Sequence, residues 1–328
     1  LAEALGYVRA WLYDSPALIT DVWMVLSRCA EITTRIGLGP GVLVPSLRHP
    51  MVTAAAVAEL ESQAPGRVVV GVGTGFTGRL ALGQRPMPWS DVANYLRCLR
   101  SLLAGDAAEW EGASVRMLQL PGFGAPRPID VPILVAADGP KGKAVAAQLG
   151  DGVFSAMPPR PGASPSTTRW AQLSFGTVLD DDEDQNSRRV IDTMAPSAVL
   201  QYQAVYLHGG PTAVDALPGG RSWRETVESF PREERHLAVH LVKPDQRHTV
   251  HLDRLTSSTS SFALTGTGAE VAEKIARYAA AGVTELVYQP AGPDIERELS
   301  AFARAAGLPH GANRASELAG RADIGRPA

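Results

Sequence analysis

The stretch VPILVAADGPKGKAVAAQLGDGVFSA, residues 131–156, decides the fold. A continuous apolar run over 131–136 stops at Asp138-Gly139, and Pro140 stands where a helix begins. Residues 141–149 are mostly helix formers, Gly150 ends them, and 152–156 is a second apolar run. Proline suits the first turn of a helix because its missing N–H would have no partner there, and glycine suits the position just past the last turn. Apolar runs without alternation read as strands buried on both faces, and two of them joined through one helix make a parallel βαβ unit.

The same alternation runs outward in both directions. Apolar runs at 8–13, 36–44 and 68–73 precede the unit, and runs at 173–179 and 285–289 follow it. Between and after them the spacing predicts helices over 21–33, 51–63, 90–104, 269–281 and 294–306. In the helix at 269–281, Val271, Ile275, Tyr278 and Ala279 recur on one face, and Gly282 stops it. A repeated βα register with right-handed crossovers predicts an α/β fold, the (β/α)8 TIM-like barrel, with an open doubly wound sheet as the other solution. LAEALG, residues 1–6, reads as the end of a helix, so the first barrel strand is expected before residue 1. The expected barrel domain covers 1–310, with a long insertion over about 181–263 between strands 7 and 8. Within it, 195–207 and 222–230 read as helices and 257–261 as a solvent-exposed piece. Residues 311–328 form a tail rich in Gly, Arg and Ala.

Composition bounds the chemistry. Lys plus Arg is 31 against 34 for Asp plus Glu, a net charge of −3, which argues against a protein built to hold a polyanion. Two cysteines, Cys29 and Cys98, are too few for a secreted disulfide scaffold. No apolar run reaches the length of a membrane span and no secretory leader is legible. The expected location is therefore cytoplasmic, with neither nucleic acid nor membrane as partner.

Barrel enzymes work at the C-terminal ends of their strands and in the loops just beyond. That rule selects Asp14, Gly41, Val42, His49, Gly73, Gly75 and the run 136–141. Asp14, followed by Ser15-Pro16, is either a cap or turn residue or a carboxylate that meets a bound ring. The glycines of GLGPGVLVP (37–45) let a flat ligand lie against the backbone, or bend a barrel corner. GVGTG (71–75) lacks the following helix and the acidic residue of a dinucleotide loop, so a glycine wall under a planar cofactor fits it better. In Ala136-Ala137-Asp138-Gly139-Pro140-Lys141 a strand ends and a helix opens, exposing N–H groups ready for an anion. Lys141 opposes the helix dipole there, which makes sense beside a phosphate; a plain helix cap is the alternative. His236 and His240 stand one helical turn apart, as substrate-facing groups or as satisfied histidines. Without a third ligand or an HExxH order, no metal is expected. Trp89, Tyr95, Tyr202, Tyr206 and Trp223 read as core or as an aromatic pocket.

Several segments, taken in order, resemble those of the bacterial luciferase-like superfamily of flavin-dependent monooxygenases and coenzyme F420-dependent oxidoreductases. They are EALGYVRAWLYD (3–14), TTRIGLGPGVLVPSLRHP (33–50), APGRVVVGVGTG (64–75), VPILVAADGPKGKAVAAQLGDGV (131–153) and LTGTGAEVAEKIARYAAAGVTELVYQP (264–290). FPREERHLAVH (230–240) is similar to a paired-histidine segment of one subgroup. The resemblance implies a TIM-like barrel, a homodimer, and a flavin or deazaflavin ring at the C-terminal mouth. It also implies a non-proline cis peptide behind that ring, at Gly41-Val42, and phosphate contacts from Ala136, Ala137, Gly139, Pro140 and Lys141. The form of that loop looks closer to the F420 reductase branch. Two departures stand out: Asp14-Ser15 replaces an Asp-His pair, and Phe76-Thr77 replaces a glutamate of other members. The acid or base is therefore expected from His236 or His240, with His49 as a third choice.

Three functions follow. The first is hydride transfer between F420 and a small organic substrate. The second is an FMN-dependent monooxygenase, either of these being served by a separate flavin or F420 reductase. The third is a non-catalytic barrel subunit.

Overall fold

A computed structural model of the chain describes residues 1–158, 169–243 and 264–309. The strands are β1 (Arg9–Leu12), β2 (Gly37–Pro40), β3 (Val70–Val72), β4 (Ala108–Trp110), β5 (Ala113–Val115), β6 (Ile133–Ala136), β7 (Gly152–Ser155), β8 (Trp170–Ser174) and β9 (Glu285–Tyr288). The helices are α1 (Val22–Ile32), α2 (Pro50–Gln63), α3 (Phe76–Leu80), α4 (Trp89–Ala104), α5 (Pro140–Leu149), α6 (Arg188–Asp215), α7 (Gly220–Glu228), α8 (Arg235–Leu241), α9 (Gly268–Ala280) and α10 (Ile295–Ala305). Outside the small antiparallel hairpin β4–β5, every ladder is parallel.

The ladders β1-β2 and β3-β6-β7-β8-β9 are joined by bridges Leu38–Val68 and Leu43–Val72. Strand order thus follows chain order from β1 to β9. A doubly wound sheet reverses its order at a switch point, and no reversal occurs here. Helices α1, α2, α4 and α5 cover the outer face, with Leu26, Val57, Leu96 and Ala146 packed against Leu38, Val70, Ile133 and Val135. The inner face gathers Val69, Leu134, Phe154 and Ala171 with Trp11, Val42, Ala136, Leu173 and Val287. Neighbouring strands lie about 4.8 Å apart, so seven strands laid flat would hold β1 far from β9, yet a side chain of β1 reaches one of β9. At the seam, Glu285 accepts from Trp11 Nε1 at 2.6 Å and pairs with Arg9 at 3.2 Å. No backbone ladder joins β1 to β9 among the described residues.

A buried carboxylate holds the α6 end to the sheet. Glu298 is 2% exposed and accepts from Thr177 Oγ1 and the Tyr288 hydroxyl. Arg189 of α6 and Arg297 of α10 flank it at 2.7 and 2.9 Å, so its charge is fully matched. The acidic run at 180–184 joins the same network: Glu183 pairs with Arg189 and Asp180 with Arg297.

Several sequence expectations shift. β8 begins at Trp170 and ends at Ser174, earlier than the apolar run at 173–179, because buried Gln172 belongs to the strand. Its amide accepts from Trp170 Nε1 and donates to Leu173 O, so a polar side chain is satisfied inside the sheet. α6 starts at Arg188 and continues to Asp215 across a kink at Gly210, well beyond the expected 195–207. A short α3 follows GVGTG where the sequence predicts no helix, and the hairpin β4–β5 has no counterpart among the predicted elements. Ala279 is exposed, leaving Val271 and Tyr278 as the buried face of α9. The insertion beyond 243, the exposed piece at 257–261 and the tail at 311–328 lie outside the described residues.

The tightest approach in the sheet generates a test. A Cβ built on Gly39 would stand 1.8 Å from Val69 O, a backbone atom that cannot swing aside. Gly39→Ala is expected to lower stability by about 1–3 kcal/mol or more, the scale of overpacking. A Cβ on Gly139 meets nothing within 4 Å, so Gly139→Ala is expected to unfold with the parent chain in urea titration.

Candidate active site

The C-terminal ends of β1, β2, β3 and β6 converge, and glycines let them do so. A Cβ on Gly73 would lie 2.7 Å from Val42 Cγ2 and 3.1 Å from Ala136 Cβ, which puts these three expected wall residues side by side. The Gly41–Val42 peptide is cis, at the position the resemblance indicated. A Cβ on Gly41 would strike Trp11, and one on Gly75 would strike Val44. The missing side chains at Gly41, Gly73 and Gly75 are thus required by the chain's own packing.

Asp14 is 2% exposed and has a definite occupation. Arg48 Nη1 donates to both its oxygens, at 2.9 and 2.7 Å, and Val44 N–H donates at 3.1 Å. Arg48 Nη2 reaches on to Asp21 at 2.7 Å, and Asp21 also caps α1. Burial disfavours the Arg48 charge, but hydrogen bonds and attraction from Asp14 and Asp21 outweigh it and hold its pKa above the ordinary value. Asp14 is therefore a brace that locks the loops after β1 and β2 through Arg48 and Val44. Sequence reasoning missed Arg48, because its carboxylate partner lies 34 residues away with no spacing rule to connect them.

His49 faces another way. Its Nδ1 accepts from Met51 N–H at 3.0 Å as the cap of α2, and its ring meets Trp110 edge-on at 5.8 Å. The aromatic candidates are mostly core: Tyr95, Tyr202 and Trp223 are buried. Tyr95 hydrogen-bonds Thr53, Trp89 packs where Gly142 leaves space, and Tyr206 donates to Glu228.

The run 136–141 opens α5 as expected. Gly139 caps the helix, Pro140 fills its first turn, and no side chain accepts from that turn's N–H groups. The Ala137 N–H is already used by Phe154 O in the sheet. The Asp138 carboxylate is turned to the next strand end, accepting from Ser155 Oγ and Met157 N–H. Lys141 and Gly139 are exposed. An open helix start beside one lysine leaves N–H groups and a positive charge free toward solvent, chemistry that suits an anion.

Helices α6 to α8 lie over the loop after β3. Phe76 stacks on His208 with centroids 5.7 Å apart, and Leu80 packs on the cluster of Tyr202, Trp223 and Val239. His236 sits against Gly83, whose Cβ position lies 3.5 Å from its ring. His240 meets Gln203 of α6 at 3.1 Å. Burial, and then the neighbouring His236, push the His240 pKa below its ordinary value.

The sequence profile of the family described as luciferase-like monooxygenase matches residues 1–285. The chain belongs to this family. Among curated members, the 5,10-methylenetetrahydromethanopterin reductase of Archaeoglobus fulgidus is 26% identical over 91% of this chain and 90% of its own length. An F420-dependent glucose-6-phosphate dehydrogenase of Microbacterium testaceum is 26% identical over 92% and 88%. Among solved structures, the coenzyme F420-dependent tetrahydromethanopterin reductase of Methanopyrus kandleri aligns at TM-score 0.64 and 20% identity, over 94% of this chain and 93% of that one. An FMN complex of a type II Baeyer-Villiger monooxygenase from Pseudomonas putida aligns at 0.56 and 14%, over 93% and 89%. These structural likenesses support the luciferase-like α/β fold.

Two tests arise from the site. Asp14→Ala leaves Arg48 with Asp21 alone and the Val44 N–H unmet; a loss of about 3–5 kcal/mol in chemical denaturation is expected. His240, with its folded pKa below 6.5, takes up a proton on unfolding. Its contribution is complete above about pH 6.5, the unfolded reference. It declines as pH falls from there to the folded pKa. His240→Gln should flatten that slope in denaturation curves measured from pH 8 to 5.

Proposed function

We propose that the chain is an F420-dependent oxidoreductase that transfers a hydride between the cofactor and a small organic substrate at the C-terminal ends of β1, β2, β3 and β6. The observation that carries this reading is the start of α5: a helix N-terminus without a side-chain cap, with open Gly139 and exposed Lys141. The donor set suits a phosphodiester or phosphate, and the curated relatives that match nine-tenths of the chain are named for F420 or for a reductase of methylenetetrahydromethanopterin.

In this reading Lys141 and the first-turn N–H groups of α5 hold the phosphate, beside Ala136, Ala137, Gly139 and Pro140. The backbone at Gly41-Val42, with Gly73 and Gly75, forms the wall behind the ring. When bound, F420 supplies the hydride chemistry at its deazaflavin ring. The protein's work is to place the substrate carbon against that ring and to keep water out, which falls to α6–α8 above the β3 loop. A proton must also be held near the substrate oxygen, and His236 beside Gly83 is the candidate carrier. Asp14 acts through Arg48, bracing the wall.

The same reading takes residues 1–310 as one TIM-like barrel domain with its insertion between β8 and β9, assembled as a homodimer in the cytoplasm. The contact of Trp11 in β1 with Glu285 in β9 supports the barrel, and exposed Leu118, Leu120 and Phe123 offer a dimer an apolar face. An FMN-dependent monooxygenase is the second reading, favoured by the family's description and by the phosphate that FMN also carries.

Side-by-side fluorescence titration separates the two. F420 is expected to bind at least about tenfold more tightly than FMN, a difference of about 1.4 kcal/mol. Lys141→Ala should weaken F420 binding by about 1–3 kcal/mol, the scale of a charged hydrogen bond. Tighter binding of FMN would overturn the F420 reading in favour of the monooxygenase, and binding of neither would favour a non-catalytic subunit.

A further inference from the structure

Among the polar contacts that cross the apolar core of the α6–α8 unit, one involves a histidine. Gln203 of α6 is 1% exposed, and its Nε2 lies 2.6 Å from Val239 O and 3.1 Å from His240 Nδ1. A backbone carbonyl only accepts, so the amide must turn its NH2 group, and not its oxygen, toward Val239. The second hydrogen of that NH2 then points at the ring. His240 Nδ1 has to accept it, and a neutral imidazole that accepts at Nδ1 carries its proton on Nε2. The orientation of the ring proton is thus dictated by a main-chain carbonyl through one amide.

The other ends of both groups are unmatched. His240 Nε2 and Gln203 Oε1 are buried and have no hydrogen-bond partner among the described residues. Leaving a buried donor or acceptor unmet costs about 1–3 kcal/mol, so such a pair calls for an explanation. Helices α6 and α8 belong to the unit that lies on α3 and the loop beyond it, so the unmet groups sit in the part of the molecule that covers that loop.

We infer that Gln203 is a positioning residue that holds His240 as its Nε2–H tautomer and so reserves a buried N–H donor for an acceptor oxygen of the substrate, a carbonyl or an alkoxide. The inference deepens the proposed function and rests on α6–α8 covering the substrate. It also divides the labour of the two histidines. His240 polarises the oxygen as a neutral donor, and His236, one turn earlier and beside Gly83, is the one that exchanges a full proton.

Nitrogen NMR of the full chain with 15N-labelled histidine reads the tautomer directly, with His240→Phe identifying the signal. At pH 7.5 the expected result is a single form of His240, protonated on Nε2 and bare on Nδ1. Gln203→Leu removes the lock and should give a mixture of tautomers. Gln203→Glu, nearly isosteric, puts an acceptor opposite Nδ1 and should move the proton there; it carries the test if Gln203→Leu does not fold. Acetone, used as a bare carbonyl probe, should shift the Nε2–H signal of the parent chain. A mixed tautomer in the parent chain, or an Nδ1 that stays bare in Gln203→Glu, overturns the positioning role. No response to acetone overturns the assignment of the donor to a substrate oxygen. Failure of F420 to bind would overturn the proposed function instead, and would leave the tautomer result standing.

Discussion

Val69 O occupies the space where a side chain on Gly39 would begin, and the rest of the site depends on that approach of β2 to β3. With the strands this close, Val42 can lay its side chain over Gly71 and Gly73, with Ala136 on the far side of Gly73, filling the inner end of the sheet. The chain beyond Val42 is then directed so that Val44 N–H meets Asp14 and Arg48 reaches both Asp14 and Asp21. A packing constraint in the sheet thereby becomes an electrostatic brace in the loops. The wall residues are held by contacts within the protein, which preorganises a surface without requiring a ligand to shape it.

Most of the scaffold was legible because its strands are apolar on both faces. In β6 and β7, Ile133, Val135 and Val153 face the helices while Leu134 and Phe154 face inward, so the sequence shows continuous runs with clear ends. The failures have local causes. Gln172 is a polar residue satisfied within β8 by its own neighbours, and no periodicity signals that. The apolar run that follows leaves the ladder near Gly176, where the backbone of Leu264 comes too close for any side chain, a contact 88 residues away in sequence. The short α3 has five residues, and Gly75 in a left-handed conformation starts it without a side-chain cap. No amphipathic stripe can be read from so few positions.

The site was legible in part, along the same division. Gly139-Pro140-Lys141 announces itself because a helix start has its own local grammar. Val42, Gly73 and Ala136 were legible as mouth residues from their places at strand ends, and the fold brings them into contact. Asp14 gave no sign of its partner, since an ion pair needs only proximity and the sequence contains many arginines. Gln203 could have been noticed as a polar residue at a core-facing position of α6, next to buried Tyr202 and five residues after buried Ala198. Its target, the tautomer of His240, depends on a main-chain carbonyl in α8 and only the folded chain shows it.

The seam between β1 and β9 differs in kind from every other boundary of the sheet. Elsewhere neighbouring strands are joined through the backbone, which is indifferent to side-chain identity. Here, among the described residues, Glu285 holds Arg9 and Trp11, Trp11 rests edge-on against Phe154 at 5.4 Å, and Tyr7 donates to Leu299 O. Side chains therefore carry, among the described residues, a duty that the main chain performs at other strand pairs. A change at Glu285 loosens Arg9 and Trp11 together, whereas a change along β6 or β7 alters how well the sheet is filled. Glu285 thus gathers two donors of β1 on one acceptor of β9, so a single substitution there would release both at once.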